Sequence, residues 1–261
     1  MTDTILTKVE GGVATLTLNR PKAMNSFDGD TARAIIDAVE GFAADDAVRL
    51  LVVAAGGPVF CAGGDFNWVL SWPELDAITR RVGADSMMAA VQAVYDFPKP
   101  SIARVQGAAV GGGVGLMLAC DFAVAVSSAR FGLTSARNGL LAGIAIPVLI
   151  QAVGPRMARQ LLMHGGMFDA ATALRIGLVD QVVEADALDA TVAALTDELR
   201  RGAPSVQTLV KKLITEIDAL PHDRAVADLI GEHVAVQCTT EDAIEGMSAF
   251  LAKRKPKWAI E

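Results

Sequence analysis

Apolar and polar positions alternate through VATLTLNRP, Val13 to Pro21, which predicts a strand, and RLLVVAA, Arg49 to Ala55, predicts a second. Between them Thr31 to Phe42 has helical spacing, with Asp30 as its expected cap. Gly56, Gly57 and Pro58 end the second strand, Phe60 to Asp65 form a loop and Trp68 to Pro73 is irregular. Helical spacing returns from Ile78 to Tyr95, Ser101 to Val105 is a short buried strand, Val114 to Cys120 a helix and Phe122 to Val126 another strand. Such alternation with short links predicts an α/β core with largely parallel pairing. From Pro147 onward helices dominate: Arg156 to Met163, Ala170 to Arg175, Ala187 to Arg201, Ser205 to Leu220, Ala225 to Gln237 and Glu241 to Ala252, with Leu178 to Val183 as the one strand signal. We therefore expect a core over residues 1–195 and a helical region over 196–261.

Composition narrows the function. The 261 residues are 52% apolar, 20% charged and 5% aromatic. So aliphatic a chain with so few surface charges predicts self-association. A net charge of −7 argues against nucleic acid, whose binding depends on Lys and Arg at phosphates. The start MTDTILTKVEGG has no secretory pattern, and the charge-free stretches Val105 to Cys120 and Asn138 to Pro155 are interrupted by glycine, proline and polar residues. A cytoplasmic protein with no membrane partner is expected. Cys61, Cys120 and Cys238 lack the paired spacing of a metal or redox site, so no metal is expected.

The candidate chemistry lies in two glycine-rich turns. GAAVGGGVGLMLACDF carries Gly111, Gly112, Gly113 and Gly115 where a strand passes into a helix. Glycines there permit a tight turn and close packing, and they also leave backbone N–H groups able to hold negative charge. A dinucleotide fingerprint would need glycine where Leu116 stands. A second turn, PVFCAGGDFN at Pro58 to Asn67, follows another buried strand. Two such turns can each offer one N–H to a single oxygen atom.

These blocks, with LNRPKAMNSF at Leu18 to Phe27, KPSIARVQGAAVGGG at Lys99 to Gly113, CDF at Cys120 to Phe122, FG at Phe131, GLVDQVV at Gly177 and the ending AFLAKRKPKW, resemble the crotonase family, the enoyl-CoA hydratase/isomerase superfamily, in order along nearly the whole chain. The resemblance implies a spiral of ββα turns with a helical C-terminal trimerisation region, assembling as homotrimers or hexamers. It implies an acyl-CoA thioester as substrate, coenzyme A entering as part of that substrate with no further cofactor. The thioester oxygen would sit on the backbone N–H groups of Ala62 and Gly112, with Lys22, Ala23, Asn25, Gly63, Gly64, Asp65 and Phe66 lining the CoA site. Lys253, Arg254, Lys255 and Lys257 would either reach CoA phosphates or form an ordinary solvated charge run.

The resemblance also identifies what is absent. Family hydratases use two glutamates, one three residues after the oxyanion glycine and one four residues after the Phe-Gly pair; here these are Gly115 and Ser135. A third position used by some isomerases is Gly143. His164 and Tyr95 read as structural, while Thr134, Ser135, Arg137 and Asn138 form a polar cluster able to hold a polar acyl group. Three readings stay open: an enzyme drawing an acid from elsewhere, with Asp65 and the segment to Asp85 as sources; a decarboxylase or hydrolase of a polar acyl-CoA held by Arg137 or Ser135; and a non-catalytic acyl-CoA binder. If only the acids are missing, Gly115→Glu with Ser135→Glu should restore hydration.

Overall fold

Strand propensity decides the central sheet, because Val13–Leu18 (β2) and Leu50–Ala55 (β3) are aliphatic runs whose inward faces are shielded from water. The computed structural model describes residues 3–218, 220, 221 and 223–259, so Ala219 and His222 lie outside the described residues. Strand β1, Ile5–Glu10, pairs antiparallel with β2 at one edge. Helix α1, Gly29–Ala44, precedes β3, and Val59–Cys61 (β4), Phe66–Leu70 (α2) and Ala77–Tyr95 (α3) follow it. Then come Ser101–Val105 (β5), Ala108–Val110 (β6), Gly112–Leu118 (α4), Phe122–Val126 (β7), Arg130–Gly132 (β8) and Ile146–His164 (α5). The chain continues through Met167–Asp169 (β9), Ala170–Arg175 (α6), Gln181–Val183 (β10), Leu188–Arg200 (α7), Pro204–Ile217 (α8), Arg224–Gln237 (α9) and Glu241–Leu251 (α10).

Two sheets result. The larger runs β1-β2-β3-β5-β7-β10, parallel throughout except for β1, and the smaller runs β4-β6-β8-β9 with only the last pair antiparallel. Each of β3, β5 and β7 hands the chain to a short strand of the small sheet and then to helix, which is the ββα spiral. Phe27, Phe60, Phe131, Leu16, Leu51, Ile102 and Leu116 are fully buried. Asp121, which ends the glycine-rich apolar run, accepts hydrogen bonds from the backbone N–H and hydroxyl of buried Ser101 and so ties the start of β5 to that of β7.

Several expectations need correction. Asp28, not Asp30, caps α1: its carboxylate accepts from the Thr31 N–H at 3.0 Å and the Thr31 hydroxyl at 2.9 Å. Trp68 is helical rather than irregular, because Asp65 caps α2 through the Asn67 N–H at 3.0 Å. Residues within Phe60 to Asp65 begin in β4, and β9 adds a strand after Pro147 that three residues are too few to announce by alternation.

The chain divides into two compact units, residues 1–97 with 101–193, and residues 98–100 with 194–261. Within the second, Glu245 is gripped by Arg254 at 2.7 and 2.9 Å and by the Lys257 N–H at 2.9 Å, and the Arg254 hydrogen bond is the first reason its carboxyl is held down at about 2. No helix among the described residues is long and apolar enough to cross a membrane.

Glycine placement yields a contrast in stability. A methyl group on Gly113 would lie 2.1 Å from the Cys61 carbonyl oxygen, whereas one on Gly41, exposed in α1, meets nothing within 4 Å. Gly113→Ala should therefore cost about 3 kcal/mol or more, and Gly41→Ala should add about 1 kcal/mol. Chemical denaturation of the two variants checks both signs.

Candidate active site

The two glycine turns abut backbone to backbone. Gly63 has φ of 88°, and a methyl group there would lie 2.8 Å from the Gly112 nitrogen and 2.9 Å from the Val110 carbonyl oxygen. Only glycine allows that approach together with that backbone conformation. Each turn is held from behind. The Phe27 N–H donates to Gly63 O at 2.9 Å and the Asp65 N–H donates to Phe27 O at 3.1 Å, clamping Gly64 between them. On the other side the Gly111 N–H donates to Gly132 O at 2.8 Å, fixing the entry to α4 against β8.

Tracing the N–H groups one at a time corrects the expected donor pair. Ala62 N–H is already spent on Met24 O at 3.0 Å, and Gly63 N–H faces the Cys61 sulfur at 3.3 Å. Among the described residues Gly64 N–H has no partner, nor has Gly112 N–H, which opens α4 before any intrahelical carbonyl is available. The first turn thus keeps the Gly64 N–H open and the second keeps those of Gly112 and Gly113, with Ala62 in the supporting layer. Burial pushes the Cys61 thiol up to about 12, opposed by the Gly63 N–H, and so favours the protonated form of this fully buried side chain.

Met24 reaches Ala62 because Met24 and Asn25 both adopt left-handed backbone, at φ of 53° and 54°. Asn25 is 1% exposed and fully used: its amide donates to Gly56 O and Val59 O at 2.8 Å each, and its oxygen accepts the Arg20 N–H at 2.9 Å. It locks the turns in place and leaves nothing for a ligand. Lys22 is exposed on the 3-10 turn Pro21–Ala23 beside half-buried Ala23. Phe66 is exposed at the start of α2.

Arg20, absent from the expected site, holds this region together electrostatically. Its guanidinium pairs with Asp65 at 2.9 Å and Asp28 at 3.1 Å and donates to Ser26 O at 2.7 Å. Asp65, committed to Arg20 and to capping α2, cannot serve as the missing acid. Asp76 caps α3 and Asp85 pairs with Arg81 on an exposed face, so those acids are also engaged.

The second cluster divides. Ser135 is half-buried, its hydroxyl 3.8 Å from where a methyl on Gly111 would stand, so it does border the turn. Arg137 does not: its Nε donates to His164 O at 3.2 Å and its stem packs on Gly165, at the C-terminal end of α5. A cation there complements the helix end. Asn138 is exposed and reaches back to Thr134 O at 3.5 Å. Gly115 is not an empty slot. A methyl on it would lie 3.1 Å from Ala145 Cα and 3.2 Å from Ile144 O, because the 3-10 turn Gly143–Ala145 lies against that face of α4.

Removing the central cation should be measurable. The Arg20 and Asp65 side chains are 23% and 12% exposed, so Arg20→Ala, which strands two carboxylates, should cost about 2 kcal/mol after allowance for solvent. Burial alone pushes the Asp28 carboxyl upward, but the Thr31 N–H and hydroxyl and the Arg20 charge outweigh it and hold it below its ordinary value. Its stabilisation is therefore complete above about pH 4 and is lost as the pH falls below that. Urea midpoints measured across the acid range should show a shallower acid loss in Arg20→Ala than in the parent.

Comparison with known proteins agrees with the geometry. A family profile described as Enoyl-CoA hydratase/isomerase matches residues 8–260. A crotonyl-CoA hydratase of Syntrophomonas wolfei is 36% identical over 258 residues, 97% of this chain and 96% of that protein. Crystal structures of an enoyl-CoA hydratase from Shewanella pealeana and one from Mycobacterium smegmatis superpose with TM-scores of 0.94 and 0.92 at 31% and 33% identity, covering 98% and 99% of this chain and 96% and 100% of theirs. With two converging glycine turns on a ββα spiral and a match that spans almost all of its length, the chain belongs to the enoyl-CoA hydratase/isomerase family.

Proposed function

We propose that the protein binds an acyl-CoA thioester and polarises its carbonyl between the N–H groups of Gly64 and Gly112, and that it does not carry out ordinary hydration. The observation that carries this reading is that each turn keeps an N–H group without a partner, Gly64 on one and Gly112 on the other, where the Gly63 backbone approaches the Gly112 nitrogen. Preorganised donors of this kind stabilise the negative charge that develops on a thioester oxygen when its α-carbon becomes enolate-like. Buried Phe27 and the side chains of Met87 and Ile144 approach Gly64 and Gly112, and apolar neighbours strengthen a hydrogen bond by keeping water away.

Hydration needs more than polarisation. One group must activate water and another must deliver a proton, and each positioned group contributes ~10² to 10⁴ in rate. Gly115 and Ser135 supply no carboxylate, and Asp65 is bound to Arg20. Holding a carboxylated acyl group with Arg137 loses support, since that side chain turns to the end of α5. A binder, or an enzyme whose chemistry needs carbonyl polarisation and little proton transfer, fits the residues better.

In the second unit Lys253 and Lys255 line a cavity of about 560 Å³ with Asp197, Arg200 and Arg201, in which Arg200 pairs with Asp197 and Arg201 with Glu198. Arg254 is paired in the same way with Glu245, so Lys253 and Lys255 are the cations here best placed to take an anion. Ile244, Met247, Phe250 and Leu251 of α10 are exposed, and we assign this apolar surface to assembly as a homotrimer.

Isothermal titration with acetyl-CoA and butyryl-CoA should show binding, while crotonyl-CoA hydration should run at least ~10³-fold below that of a family hydratase with both acids. Binding absent, or hydration at the full rate, refutes the proposal. Gly115→Glu with Ser135→Glu should lower the melting temperature, since the first added side chain crowds Ala145 and the Ile144 carbonyl and the Gly143–Ala145 turn must give way, and hydration should stay well below that of a family hydratase. Sedimentation equilibrium should give three times the chain mass, or six times it if trimers pair.

A further inference from the structure

The turn that closes off Gly115 also bears on what acyl group fits. Gly112 and Gly115 lie three residues apart on one face of α4. The segment Gly143–Ala145 covers that face: Ile144 Cδ1 would be 2.4 Å from a methyl on Gly112, and Ala145, fully buried, presses its Cα and Cβ toward Gly115 at 3.1 and 3.4 Å. Ala145 is therefore fixed scaffold. Ile144 is not fully enclosed, being half-buried with its terminal methyl laid against the donor residue itself.

The opposite side is also walled. Met87 Sδ lies 3.4 Å from where a methyl on Gly64 would stand, and one turn earlier in α3 the rings of Trp68 and Trp72 press on Gly83, at 3.2 and 3.1 Å from its methyl position. The two indoles meet edge to face at 5.1 Å, which fixes both. Met87 is unbranched and can rearrange around a ligand. Ile144 is β-branched, stiff at χ1, and stands on a short turn held by the Ala145 N–H to Ala142 O bond at 3.0 Å.

From these contacts we infer that Ile144 is the residue that sets acyl specificity, restricting the site to short, compact, apolar acyl thioesters. The inference rests on the reading of Gly64 and Gly112 as the carbonyl donors. An acyl chain leaving a carbonyl held there passes along the face of α4 that Ile144 covers. Shortening this side chain opens room beyond the first carbons, and enlarging it closes what room there is.

The test is a ladder of acetyl-, butyryl-, hexanoyl- and octanoyl-CoA titrated calorimetrically into the parent, Ile144→Ala and Ile144→Phe, with circular dichroism confirming the fold of each. In Ile144→Ala, hexanoyl-CoA should gain about 10-fold in affinity relative to acetyl-CoA, as expected for newly buried methylenes. In Ile144→Phe, butyryl-CoA should lose about 10-fold relative to acetyl-CoA. Should Ile144→Ala fail to fold, the phenylalanine variant alone decides. If the parent binds acetyl-CoA and the ladder shifts in parallel or not at all, the role of Ile144 is refuted and the donor pair stands. If the parent binds none of the four, the donor-pair reading falls and takes this inference with it.

Discussion

The site depends on one contact, the approach of the Gly63 backbone to the Gly112 nitrogen, closer than any side chain would permit. Everything around it maintains that approach. Phe27 grips Gly63 and Asp65 from one direction, Met24 consumes the Ala62 N–H, Gly132 anchors Gly111, and Gly113 lies so close to Cys61 that a methyl has no place. Asn25 and Arg20 then fasten the first turn to its surroundings through buried amide hydrogen bonds and a doubly paired guanidinium. The polar groups that are satisfied hold both turns so that the N–H groups of Gly64 and Gly112 stay open.

The same packing explains why missing acids are not simply missing. A glycine in place of a carboxylate would leave a hole if its surroundings stayed put, and holes in well-packed interiors are costly. Here Ile144 and Ala145 lie against α4 and crowd its Gly115 face. Charge stabilisation and proton transfer, which hydratases combine, come apart in the proposed reading: the N–H groups of Gly64 and Gly112 stay open, while positions 115 and 135 carry no carboxylate. A family name given to such a chain therefore describes its fold and its carbonyl cradle more securely than its reaction.

Much of this was legible in the sequence. The long aliphatic strands, most helix bounds from α3 to α10 and the presence of two glycine turns followed from periodicity and local chemistry. The small sheet was harder, because β4, β6, β8 and β9 are three residues each and too short to display a period. The donor was misplaced by two residues for a physical reason: whether Ala62 or Gly64 keeps a free N–H depends on Met24, 38 positions earlier, whose carbonyl reaches Ala62 only through two successive left-handed residues. Arg137 looked like a ligand for substrate because its neighbour Ser135 borders the turn, but the end of α5 claims it. Ile144 lay in a stretch recognised only as charge-free, with nothing in its spacing to show which glycine it would cover.

The claim that Gly64 and Gly112 jointly polarise a thioester carbonyl is most directly tested by infrared difference spectroscopy of butyryl-CoA carrying ¹³C at the carbonyl carbon. Bound to the protein, the isotope-marked C=O stretch should fall to lower wavenumber than in water, since two fixed donors in apolar surroundings withdraw more electron density than mobile solvent does. A bound band at or above its position in water would contradict the account.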